Sequence, residues 1–136
     1  MMPMIGNELI GLESKPVLLK IKNEEMLRFA EAAGIRFNDQ VPITFVGTLM
    51  HSNIGGIELP IPGMIHGEQK ITYHRLLNMG DNLTYKRRVK DVYERVGKRG
   101  KLIFLVIEST GYDFSGELVF TCSSTLIRPV PEGEES

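Results

Sequence analysis

The 136-residue chain carries one cysteine, Cys122. A single thiol excludes an intramolecular disulfide framework and any zinc or iron–sulfur site built on several cysteines, and it points to a reducing compartment. An excess of one charge is also missing. Sixteen Lys and Arg stand against 17 Asp and Glu, a net charge of −1, so the surface as a whole is not suited to nucleic acid. No run approaches the ~18 apolar residues of a membrane span. Residues 1–15 have neither a long apolar core nor a basic leader and do not read as a signal peptide. No Gly-x-Ser-x-Gly surrounds Ser115, Ser123 or Ser124, and no Gly-Lys-Ser/Thr follows the stretch 55–67. A nucleophile elbow and a P-loop are therefore excluded. Neither an internal repeat nor a low-complexity segment occurs. What is present is 42% hydrophobic and 24% charged residues, enough for one core and too much apolar surface for a disordered chain. The expectation is a cytoplasmic protein with one domain over 1–128 and an acidic, flexible tail over 129–136.

Helical spacing of Met26, Phe29, Ala30 and Ala33 predicts a helix over 23–33, capped by Asn23, with Glu24 and Glu25 in its first turn and Gly34 as its stop. A strand over 16–21 precedes it. The nearly uncharged run 44–52 reads as a helix buried on every side, although nine residues leave a strand open. Residues 55–67, with Pro60 and Pro62, read as an irregular loop. The second half is β: strands over 69–75, 83–93, 102–107 and 118–127, separated by turns at 78–81, 97–100 and 113–116. The unbroken run 102–107 suits a central strand covered on both faces. Three short reversals imply an antiparallel meander with the apolar helix against it, and a long open sheet edge calls for a second chain.

The order of these elements, with Val41-Pro42-Ile43-Thr44-Phe45, His66-Gly67-Glu68-Gln69, Tyr73-His74-Arg75, Gly80-Asp81, Asp91-Val92-Tyr93-Glu94 and Gly116-Glu117-Leu118, resembles the MaoC-like dehydratases. The likeness is greatest to their N-terminal hotdog domain type, found in fatty-acid dehydratase subunits, and covers residues 5–128. It implies an α+β hotdog fold, a curved antiparallel sheet wrapped around a central helix. It implies dimers made by joining two sheets edge to edge, and thioesters of coenzyme A or acyl carrier protein as ligands. It also implies addition of water to a trans-2-enoyl thioester, or the reverse. Active members of the family carry an Asp and a His about five residues apart between the first helix and the segment before the central one. Here that stretch is Ile35-Arg36-Phe37-Asn38-Asp39-Gln40, which has no histidine. The resemblance thus points to the non-catalytic partner in an (R)-specific enoyl-CoA hydratase or 3-hydroxyacyl dehydratase assembly, a homo- or hetero-oligomer with another hotdog subunit.

Hydration of an enoyl thioester needs a base for water, an acid for the adjacent carbon and donors for the developing enolate oxygen. The first amides of the 44–52 helix are candidate donors. The substrate-binding candidates are Asn38 and Asp39 before that helix, Thr44, Phe45 and Gly47 within it, and His66 on the next strand. Asp39 is the only carboxylate near the expected catalytic position, and an aspartate with pKa ~3.9 is a poor base at neutral pH unless its site raises that value. His66, Glu68 and His74 share strand parity, but eight residues of straight strand span roughly 26 Å, too far for His66 and His74 to hold one metal ion. His51 reads as a helix cap. Cys122 reads as a buried thiol. No metal and no cofactor are called for. Lys86, Arg87, Arg88, Lys90, Arg95, Lys98, Arg99 and Lys101 form a basic stretch, either a solvated hairpin or a landing patch for an acidic carrier protein or coenzyme A phosphates. Two other functions compete. A hotdog thioesterase wants a carboxylate on or beside the central helix, and 44–52 has none. A non-enzymatic acyl-CoA-binding homo-oligomer needs no acid or base at all.

Overall fold

Alternation governs the second half of the chain. Leu83, Tyr85, Arg87 and Val89 are buried while Lys86, Arg88 and Lys90 between them are exposed, the period of two of a strand covered on one face. In a computed structural model describing residues 7–38, 40–49, 52–54, 57–59, 63–98 and 100–131, these positions lie in a five-stranded antiparallel sheet. The strands are β1 (Val17–Lys20), β4 (Ile65–Tyr73), β5 (Asn82–Gly97), β6 (Gly100–Asp113) and β7 (Leu118–Pro131). Their order across the sheet is β1-β5-β6-β7-β4. A separate hairpin pairs β2 (Ser52–Ile54) with β3 (Ile57–Leu59).

The long central strands form because each reversal is short. β5 and β6 pair to Gly97↔Gly100, leaving a two-residue loop. At the β6–β7 turn the Asp113 carboxylate accepts bonds from the Ser115 and Glu117 amides, both at 3.0 Å. On the other side of β5 the N-terminal segment continues the edge that β1 begins. Ser14 N–H donates to the Arg87 carbonyl at 2.8 Å, and Gly11 N–H to the Val89 carbonyl at 2.8 Å.

The helix α1 (Asn23–Ala33) forms where expected, and buries Met26 and Ala30 against Leu83, Tyr85, Val119 and Phe120 of the sheet. Gly34 ends it in the left-handed conformation, φ 70°. Asn23 is not its cap. That position falls on Lys22, and no side chain caps the helix. A second cluster, with Leu9, Val92, Ile103, Leu105 and Leu126, fills the other end of the same face. Among the described residues no helix is long and apolar enough to cross a membrane.

Other expectations are corrected. The run 44–52 is not a buried helix. It holds a 3-10 helix over Phe45–Thr48 followed by β2. Gly47 in its middle and β-branched Thr44, Val46 and Thr48 oppose a longer helix. The stretch 55–67 contains β3 and the start of β4 rather than only loop. On β6 only one face is covered. Ile103, Leu105 and Ile107 are buried, whereas Phe104 and Val106 stay half-exposed. β7 runs on through residues 129–131 beside β6, past the last residue paired to β4. Its two prolines thus stand where one side of the strand has no neighbour. The remaining tail, His51 and Asp39 lie outside the described residues.

Close packing at Gly111 offers a test. A Cβ there would collide with the Phe120 ring, which crosses the space a side chain would fill. Gly111→Ala is expected to lower stability by about 1–3 kcal/mol in urea unfolding. Gly97→Ala, whose Cβ would meet nothing closer than the Gly100 carbonyl at 3.9 Å, should change it by less than about 0.5 kcal/mol.

Candidate functional site

The 3-10 helix is held to the sheet by a tyrosine. Tyr73, the last residue of β4, donates its hydroxyl proton to the Ile43 carbonyl and faces the Val46 amide. Val46 is buried beneath it, and Phe45 meets Phe29 of α1 edge-on with ring centroids 5.6 Å apart. Burial pushes the Tyr73 phenol up to about 12, the Val46 amide opposing the rise. Tyr73 is therefore a fixed donor at neutral pH and not a base. The amides at the start of the 3-10 helix, expected as donors for an enolate, are engaged within the fold. Phe45 N–H donates to the Pro42 carbonyl at 3.0 Å, and Val46 N–H turns to Tyr73.

The other predicted residues scatter around this clasp. Asn38 and Thr44 are exposed, Phe45 is half-buried, and Gly47 lies in the 3-10 helix. His66 stands farther along β4. A β-bulge between His66 and Glu68 changes its meaning, because residues paired across a ladder share a face. His66 pairs with the buried Leu126 and so belongs to the inner face, with Gln69, Ile71 and Tyr73. Glu68 pairs with Thr125 on the outer face. The shared parity of His66, Glu68 and His74 is thus overturned. His74 lies beyond the strand end, its Nε2 3.5 Å from the Thr121 hydroxyl. Among the described residues no group of three His, Cys, Asp or Glu could hold a metal.

Nor does an aspartate meet a histidine among the described residues. Asp81 pairs with Arg75 at 2.9 Å, Asp91 accepts from the Val92 amide at 2.8 Å, and Asp113 serves its own turn. Cys122 is buried, and burial pushes its thiol up, away from the reactive thiolate.

A residue that sequence reasoning misplaced is Arg87. Counted into the basic stretch, it is instead 1% exposed on the inner face. Burial pulls its pKa down. The signal was in the sequence, since Arg87 shares the parity of Leu83, Tyr85 and Val89. Register sets Arg87 beside Ser109 and Ser109 beside Cys122, while Ser124 pairs with Gln69. With the buried Ser14, these residues make a polar band across the sheet between the two apolar clusters. The rest of the basic stretch is partly neutralised: Arg88 and Lys90 share Glu108 at 3.1 and 3.3 Å, and Lys101 meets Glu94 at 3.5 Å. A groove of about 680 Å³ on the outer face, lined by Lys86, Arg88, Glu108, Tyr112 and Phe114 among others, contains none of the predicted site residues.

Comparison with known proteins fits this geometry. The family profile described as FAS1-like, dehydratase domain region, matches residues 8–122. Among solved structures, the C-terminally truncated HadBC (3R-hydroxyacyl-ACP dehydratase) complex of Mycobacterium tuberculosis is similar over 88% of this chain and 96% of its own, at 21% identity and TM-score 0.68. The ChsH1–ChsH2 complex of the same organism matches 91% of this chain and 88% of its own, at 20% identity and TM-score 0.66. The R-hydratase PhaJ1 of Pseudomonas aeruginosa matches 93% and 89%, at 15% identity and TM-score 0.55. No curated protein gives a significant sequence match. The antiparallel sheet with α1 against its inner face is a hotdog fold.

Burial keeps the Tyr73 phenol protonated well beyond the ordinary tyrosine range, up to about 12. Its pKa is raised in the fold, so the stability it lends is complete below about pH 10, the unfolded value, and is lost as pH climbs toward 12. In an ultraviolet pH titration, Tyr73→Phe is expected to remove a phenolate that rises near pH 12 and to flatten the loss of stability over that interval. At neutral pH the same change should cost about 1 kcal/mol, from the lost hydrogen bonds.

Proposed function

The chain belongs to the FAS1-like dehydratase family, among the MaoC-like hotdog proteins, and from that membership we propose that it is the non-catalytic subunit of an enoyl-thioester hydratase or 3-hydroxyacyl dehydratase assembly. In this reading it shapes the acyl path, while a second hotdog chain supplies the acid and base. The observation that carries it is where the histidines stand. The sequence has three, His51, His66 and His74, and none falls between α1 and the 3-10 helix, where active relatives carry their Asp and His. Without a histidine that stretch offers Asp39 as its one carboxylate and no second group to pass a proton between water and the carbon beside the thioester.

What the chain offers instead is shape. Phe45, Ile71 and Tyr73 present a half-buried apolar wall beside the 3-10 helix, suited to an acyl chain. Asn38 and Thr44 stand on the segment leading into that wall, Gly47 lies in the 3-10 helix, and His66 lies on the same sheet face; Asp39 completes the set by its place in the sequence. Tyr73, protonated at neutral pH, holds that wall in place. β4 is the longer of the two edge strands, and among the described residues no strand pairs with its outer side. We assign that edge to the second subunit, as an open ladder seeks a partner. The names of the HadBC and ChsH1–ChsH2 structures, each a complex, support this.

Hydration of a short and a long trans-2-enoyl-CoA by the purified chain alone, and by the chain with its hotdog partner, tests the proposal. Turnover is expected only with the partner. A normal enzymatic rate from the pure chain would contradict it and make Asp39 and His66 the next residues to mutate. Release of free thiol from acyl-CoA would favour the thioesterase, and binding without turnover in any assembly the acyl-binding homo-oligomer.

A further inference from the structure

We propose that the free end of the β5–β6 hairpin, with the last residues of β7, is the docking surface for an acidic acyl carrier protein; this rests on the thioester reading above. β1 pairs with β5 only as far as Tyr85, and β4 leaves β7 at Ile127. Among the described residues the sheet therefore narrows at this end to three strands. There an apolar hollow of about 410 Å³ opens, with Val96, Leu102 and Pro129 in its wall and Arg95, Lys98 and Lys101 around it. Val96 is 83% exposed and Leu102 39%. Apolar side chains left so open beside cations suit a protein surface that carries both an apolar knob and negative charge. Of the three cations, Lys101 meets Glu94, while Lys98 stands exposed in the hairpin loop.

Arg95 is already ordered. Its guanidinium lies 5.1 Å from the centroid of the Tyr93 ring, and Tyr93 stacks on Phe104 at 4.8 Å with the planes 4° apart. A cation fixed on a rigid stack loses little freedom when it meets a carboxylate. The same stack argues against nucleic acid. The Tyr93 ring is taken up by Phe104 and Arg95 and is not free to stack on a base. A thioester delivered on a protein needs a surface for that protein as well as a path for the acyl group, and this end of the sheet supplies one.

The test is binding of a fluorescently labelled apo acyl carrier protein, without prosthetic group or acyl chain, to the full-length chain by anisotropy. The expected result is saturable binding that weakens as salt rises and falls at least about tenfold in Lys98→Glu and in Arg95→Glu. Val96→Asp should weaken it as well. Lys20→Glu, an equal charge reversal on β1, should leave it unchanged. Lys98→Gln, which removes the charge without reversing it, should give an intermediate loss and guards against misfolding of the reversal. The apo carrier bears no thioester, so the result stands whether or not any assembly hydrates enoyl substrates. Absence of binding, equal binding by Lys98→Glu and Lys20→Glu, or tighter binding of a single-stranded oligonucleotide than of the carrier would overturn the proposal.

Discussion

The register of the β5–β6–β7 ladder decides where the chemistry of this chain can be. Three long strands in continuous antiparallel pairing fix which side chains face α1 and which face away. A shift of one residue would exchange the two sets. Register buries Arg87 and leaves Lys86 and Arg88 outside. It lines Ser109, Cys122 and Ser124 along the interior, and it clears the space at Gly111 that the Phe120 ring fills. Where the pairing steps, the chemistry steps with it. The bulge in β4 sends His66 to the inner face and Glu68 to the outer one.

Among the described residues the inner face provides form without an aspartate–histidine pair. Tyr73 ties the 3-10 helix to the edge strand through the Ile43 carbonyl and the Val46 amide, and its raised pKa keeps it a donor. The amides that could have stabilised an enolate are already used by Pro42 and Tyr73. Each described aspartate is bound to an arginine or to backbone amides. This arrangement is what the proposed division of labour rests on, in which this chain holds the acyl group and a second chain carries the proton transfers.

Much of the fold was legible because it rests on local signals. Apolar segments bounded by turn residues announced β5 to β7 and their antiparallel order, and Gly34 marked the end of α1, whereas the unbroken run 102–107 hid that only one face of β6 is covered. The central helix was misread because an apolar run without charge looks alike as helix or strand. Gly47 and the β-branched residues around it tipped the run to a single 3-10 turn. Arg87 was misplaced for a different reason. Composition joined it to its basic neighbours, whereas strand parity, visible in the same residues, separates it from them. The face of His66 was not legible at all, because a bulge is a property of two paired strands and leaves no mark in one of them.

The central claim is that this chain is one part of a sheet completed at β4 by another hotdog subunit. Amide hydrogen exchange read by mass spectrometry, across a dilution series that dissociates the assembly, addresses it most directly. The account predicts that peptides covering Ile65–Tyr73 exchange more slowly in the assembly than after dilution, while β6 peptides, paired on both sides within the chain, stay equally protected in both. Unchanged exchange along β4, or protection gained only along β1, would contradict it.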